Sequence, residues 1–106
     1  MNKDTIQRIR NFTIDRDWDK FHSPGNLAKS IVIEAAELLE CFQWDDNNFK
    51  MEKVEEELAD VIVNCQNLLD KLHLDADTIV NKKMDQNEKK YPVEKVKGIA
   101  KKYDEI

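Results

Sequence analysis

Glycine and proline are scarce in this chain, with two of each in 106 residues. An all-β domain with many tight turns needs more of both. Cysteine is equally sparse: Cys41 and Cys65 are too few for a disulfide framework and read as reduced packing residues. No apolar run approaches the ~18 residues of a transmembrane helix. The stretch Met1-Asn2-Lys3-Asp4-Thr5 lacks the apolar centre of a signal peptide. A cytoplasmic protein with no membrane partner is expected. Positive charge is also in deficit, with 17 Lys and Arg against 22 Asp and Glu, a net charge of −5. An acidic body disfavours nonspecific nucleic-acid binding, so no nucleic-acid partner is expected.

What is present points to helices. Apolar residues make up 41% of the chain and charged residues 37%, which suits a small globular domain. A chain this short and this charged commonly completes its core by oligomerising. The apolar spacing predicts four helical segments. The first runs from about Thr5 to Arg16, carrying Ile6, Ile9 and Phe12 on one face. A loop, Asp17 to Gly25, takes Pro24-Gly25 as its turn signal. Asn26 is the expected N-cap of the second helix, Leu27 to about Gln43. After a polar break at Asp45–Asn48, the third runs from about Lys50 to Leu72. Asp75 or Asp77 caps the fourth, which Pro92 stops near Tyr91. The expected fold is all-α, resembling a four-helix bundle, with residues 1–92 as the catalytic domain and 93–106 as its lysine-rich tail.

The charges are unevenly spread. Residues 1–74 hold 9 Lys and Arg against 15 acids, whereas residues 82–102 hold 8 Lys against 3 acids. Such a contrast suggests a metal site facing a phosphate site. Two solvated helix faces would give the same composition.

Helical wheels sharpen the acidic part. At about 100° per residue, Glu34 falls inside the stripe of Leu27, Ile31, Leu38 and Cys41, and Glu37 at its edge. Glu40 shares the polar face with Lys29 and reads as a surface residue. On the third helix Glu57 borders the arc of Val54, Val61, Leu68 and Leu72, which continues through Leu58, Cys65, Leu69 and Ile62, with Asp60 to one side. Two helices thus each offer an acidic i, i+3 pair, Glu34/Glu37 and Glu57/Asp60, beside an apolar stripe. If the helices pack antiparallel, the four carboxylates can converge, and they cannot share a water-poor site without cations. Oxygen-only ligands suit Mg²⁺, with Mn²⁺ as a substitute. Neither His22 nor His73 forms the Glu-x-x-His pair of a di-iron bundle. Exposed acidic faces without a metal remain the alternative on spacing alone.

Longer motifs connect these pairs: Arg16-Asp17-Trp18, Phe21-His22-x-Pro24-x-Asn26-Leu27, Glu34-x-x-Glu37-Leu38-x-Glu40-x-Phe42-Gln43-Trp44, Glu56-Glu57-Leu58-x-Asp60-Val61 and Lys83-Met84-Asp85-x-Asn87-x-x-x-Tyr91-Pro92. Together they resemble the MazG-like all-α nucleoside triphosphate pyrophosphohydrolases, and within them the dCTP pyrophosphatase branch. The resemblance implies a helical homodimer or homotetramer that hydrolyses a nucleoside triphosphate to the monophosphate and pyrophosphate. It implies that Glu34, Glu37, Glu57 and Asp60 form the catalytic, Mg²⁺-binding set. It also implies that Lys83, Asn87 and Lys90 bind phosphate and that Trp18 and Trp44 line the base pocket. The family's base-pocket histidine falls at Ile9, and its tyrosine one turn after the second acidic pair at Asn64. Relaxed selectivity among pyrimidine deoxynucleotides is therefore expected rather than strict dCTP use. A non-catalytic helical dimerisation or interaction module would keep the same fold, but it needs no inward-facing acids.

Overall fold

Asn2 starts the first helix earlier than the apolar spacing predicts. Its side chain accepts a 2.9 Å hydrogen bond from the Thr5 amide, and in the computed structural model, which describes residues 1–105, α1 spans Lys3–Asp15. Satisfying one of the orphan amides of the first turn is what an N-cap does. The helix stops where Asp17 adopts a left-handed conformation, φ 53°. There the Asp17 amide donates to Ile14 O and the Trp18 amide to Thr13 O. This pair of bonds is a Schellman ending, and Asp tolerates the left-handed region better than most residues. A short 3₁₀ turn, Asp19–Phe21, follows.

The expected boundary of the second helix needs correction. Ser23, not Asn26, is its N-cap: Ser23 is extended and its side chain accepts from the Asn26 amide. Pro24 and Gly25 are not a loop turn but the first residues of α2, Pro24–Glu40. Proline fits there because its missing N–H belongs to a position with no helical acceptor. The Asn26 side chain instead donates to Phe21 O and ties down the preceding turn. At the other end the chain tightens, with the amides of Cys41, Phe42 and Gln43 each reaching back three residues. Phe42 and Phe49, with ring centroids 4.8 Å apart, close the connection to α3, Met51–Lys71.

Helices α2 and α3 make the most extensive helix–helix packing, and α1 packs on α3. Glu34 lies six residues before the end of α2 and Glu57 six after the start of α3, and the two meet. That symmetry about the connection is the mark of an antiparallel pair. Arg10 on α1 grips Asp70 on α3 through two bonds of 2.8 and 3.0 Å. The buried Gln66 completes the clamp by donating to Asp70 Oδ1. Lys71 reaches Asp19 in the 3₁₀ turn at 2.8 Å.

The apolar core is thin. Among the described residues, Leu27 is the one apolar side chain almost wholly buried, at 2% exposure. Val32, Ile33 and Leu39 on α2 are exposed, as are Leu58 and Ile62 on α3. The half-buried side chains of α3 include Val54, Val61 and Leu68, on the Glu57 side of its apolar arc. On the far side of that arc Cys65 and Leu69 are half-buried, while Leu58 and Ile62 are exposed.

Two compact units divide the chain, Met1–His73 and Leu74 onward. The second holds α4, Ala76–Lys90, whose cap is Asp75: its carboxylate accepts from both the amide and the hydroxyl of Thr78. After Tyr91-Pro92, a single turn, α5, spans Val93–Val96. Gly98 then takes a positive φ of 80°, and a 3₁₀ turn spans Tyr103–Glu105. The last residue of the expected tail, Ile106, lies outside the described residues. The described elements are all helical, and no helix is long and apolar enough to cross a membrane.

Candidate metal centre

The antiparallel α2–α3 pair brings three carboxylates together. Oxygens of Glu34, Glu37 and Glu57 all lie within 4.8 Å of one another. Their burial differs. Glu57 is 5% exposed, Glu34 is half-buried and Glu37 is open to solvent. Glu34 Oε2 and Glu57 Oε2 are buried with no hydrogen-bond partner. A buried acceptor left unpaired is costly, and an ionised one more so.

The electrostatics follow from this crowding. The Glu37 carboxyl is pushed up to about 7, first by its hydrogen bond with Glu57, then by its hydrogen bond with Glu34 and the charges of both. Like charges this close do not all ionise, and a shared proton relieves them. Glu57 moves the other way. Lys53, one turn earlier on α3, places Nζ 2.8 Å from Glu57 Oε1. That bond holds Glu57 below the usual carboxylate range, against burial, which acts to raise it. The Lys53 ammonium is raised in turn, chiefly by the same bond. A cavity of about 490 Å³ opens beside the cluster, lined by Glu37, Glu40, Cys41, Lys53 and Glu57.

A divalent cation fits these groups. The donors are oxygens only, two of them are orphaned in the protein interior, and an open cavity adjoins them. Asp60, the fourth acid of the expected set, lies outside the gathered group and is exposed. An i, i+3 step sets Asp60 about 60° around α3 from Glu57, the same offset that separates Glu34 from Glu37 on α2. The Asp60 backbone carbonyl accepts from the Asn64 side chain at 2.9 Å.

The two tryptophans differ. Trp18 sets its ring edge-on to Phe12, centroids 5.6 Å apart, and remains 46% exposed. Arg16 lies over Phe12 at 3.8 Å. Trp44, in the α2–α3 connection, is 89% exposed. In the second unit Lys83, Asn87 and Lys90 follow one face of α4, spaced four and three residues apart. The Asn87 amide makes a long contact, 4.0 Å, to Met84 sulfur.

Lys53 was not among the expected site residues. Its signal was available in the sequence, because a lysine four residues before an inward-facing glutamate on one helix can reach it.

Comparison with known proteins places these features. Residues 29–106 match the profile of the MazG-like family. Mouse dCTP pyrophosphatase 1 is 35% identical over 115 residues, covering 96% of this chain and 68% of the mouse protein. The human dCTP pyrophosphatase 1 is 32% identical over the same shares. The crystal structure of a pyrophosphatase from Archaeoglobus fulgidus superimposes with a TM-score of 0.76 at 40% identity, covering 85% of this chain and 91% of that one.

Proposed function

This chain belongs to the MazG-like family, and from that premise we propose that it is a nucleotide pyrophosphohydrolase. It hydrolyses (deoxy)nucleoside triphosphates, pyrimidine deoxynucleotides foremost, to the monophosphate and pyrophosphate. The observation that carries this reading is the convergence of Glu34, Glu37 and Glu57 with two orphaned buried oxygens. The pyrophosphatases among its relatives and structural neighbours support the same reaction class.

In this reaction water attacks the α-phosphorus, the bond from that phosphorus to the α,β-bridging oxygen breaks, and pyrophosphate leaves. The chemistry asks mainly for positioning and charge neutralisation. Glu34, Glu37 and Glu57 would hold Mg²⁺, with Asp60 joining them by the family resemblance. When bound, the metal supplies Lewis-acid neutralisation of phosphate charge. Glu37 faces the open cavity and shares its proton with its neighbours. The proton of the attacking water passes to Glu37, which faces the cavity, or to Glu34. Lys83, Asn87 and Lys90 supply cationic and hydrogen-bonding groups for the β and γ phosphates. The Trp44 indole, exposed at the loop that follows the first acidic pair, offers a stacking face for the base, with Trp18 as the second.

The subunit functions as a homodimer or homotetramer. Val32, Ile33 and Leu39 on α2 and Leu58 and Ile62 on α3 leave too much apolar surface in water for a stable monomer of this size. The test is a panel of nucleoside triphosphates with Mg²⁺, scored for pyrophosphate against orthophosphate. Pyrophosphate release that Glu57→Gln abolishes, with helical content intact, supports the assignment. Full activity in EDTA, or orthophosphate as the product, refutes it.

A further inference from the structure

Lys53 is a cation bound to the acid cluster, and the proposed reaction leaves its role open. Its Nζ sits 2.8 Å from Glu57 Oε1 and 3.9 Å from Glu56 Oε2. The two partners are unlike. The Glu56 side chain is 70% exposed and that of Glu57 only 7%, so the Glu57 bond is the one made out of water. Lys53 also lines the cavity that adjoins Glu37 and Glu57.

We propose that Lys53 is an internal counter-ion that occupies the metal centre of the ion-free protein and is exchanged for the divalent cation. The inference rests on the metal centre of the proposed function and deepens it. With the ammonium on it, Glu57 Oε1 is engaged and Oε2 is the orphan. A divalent ion that takes either oxygen of Glu57 stands within a few ångströms of Nζ and repels it, and the flexible four-carbon stem lets the ammonium swing into water. The exchange has two consequences. The ion-free cluster stays folded without its metal, because one carboxylate is already compensated. The metal binds more weakly than three preorganised carboxylates alone would allow, because it competes with a tethered cation. Lys53 is therefore a positioning and competing residue, not a metal ligand.

The experiment is calorimetric titration of the full-length chain with Mn²⁺, together with melting of the ion-free and Mn²⁺-loaded forms. Lys53→Met should bind Mn²⁺ tighter by roughly fivefold or more and melt lower when ion-free. Lys53→Arg should shift affinity the opposite way, because the guanidinium fork holds a carboxylate through two bonds. That variant also keeps the cluster compensated, so the inference stays testable if Lys53→Met does not fold without metal. Lys20→Met, which removes the same charge from a lysine paired with Asp17, should leave Mn²⁺ affinity unchanged. Lys53→Met binding equal to or weaker than wild type overturns the inference, as does equal tightening in Lys20→Met. If the wild-type chain binds no Mn²⁺, the metal centre itself fails and the inference with it. If wild type binds and the variants do not diverge, only the role of Lys53 is refuted.

Discussion

Metal uptake by this protein should release a proton, and the amount follows from one side chain. The Glu37 carboxyl titrates near 7, held up by its hydrogen bonds to Glu57 and Glu34. A carboxylate must be deprotonated to hold a cation, so binding expels whatever proton Glu37 carries. For a group titrating near 7, that is about 0.9 proton per ion at pH 6, about 0.5 at pH 7 and about 0.1 at pH 8. Apparent affinity should consequently fall about tenfold between pH 8 and pH 6. Calorimetry with Mn²⁺ in buffers of differing ionisation heat reads both quantities directly. The stability of the ion-free form should mirror them. The folded-state value of Glu37 lies above its ordinary 4.5, so its contribution is full below about 4.5 and is lost as pH rises through about 7. Glu57, lowered chiefly by Lys53, acts oppositely: its contribution is present above the ordinary carboxylate range and is lost on acidification. The ion-free melting temperature should therefore decline between pH 5 and pH 8, and saturating metal should remove that decline. Constant affinity from pH 6 to pH 8 with no buffer-dependent heat would refute the shared-proton arrangement.

Three further outcomes are expected. Leu27→Ala should destabilise the chain by about 2–3 kcal/mol in denaturant unfolding, because Leu27 is the most buried apolar side chain among the described residues and its removal leaves a cavity. Trp44→Ala should weaken nucleotide binding roughly tenfold to a hundredfold while sparing Mn²⁺ binding, since stacking contributes about 1–3 kcal/mol per base. Equal nucleotide affinity would make Trp44 a packing residue. Light scattering at micromolar concentration should give a dimer or larger, and Ile33→Glu, on the exposed α2 surface, should shift it toward monomer.

The helices themselves were legible in the sequence, because local chemistry sets them. Apolar residues at helical spacing, Asp75 as a cap and Pro92 as a stop each act within a few residues. Where a local reading failed, a rival local signal was responsible. Pro24-Gly25 reads as a turn, yet Ser23 caps the helix just before it and Pro24 fits its first position. Spacing also marked Glu34 as lying within an apolar stripe and Glu57 as bordering one, since a 3.6-residue repeat fixes which side chains share a face.

Tertiary structure decided which acids meet. Two i, i+3 pairs on two helices become a cluster only when the antiparallel α2–α3 register is set, and that register gathers Glu34, Glu37 and Glu57 while leaving Asp60 aside. The proton shared at Glu37 and the ammonium of Lys53 on Glu57 are likewise products of distance and burial. So is the Arg10–Asp70 clamp, which joins residues sixty positions apart. Periodicity specifies the face on which a side chain lies. Only packing brings two faces within the few ångströms over which charge and hydrogen bonding act.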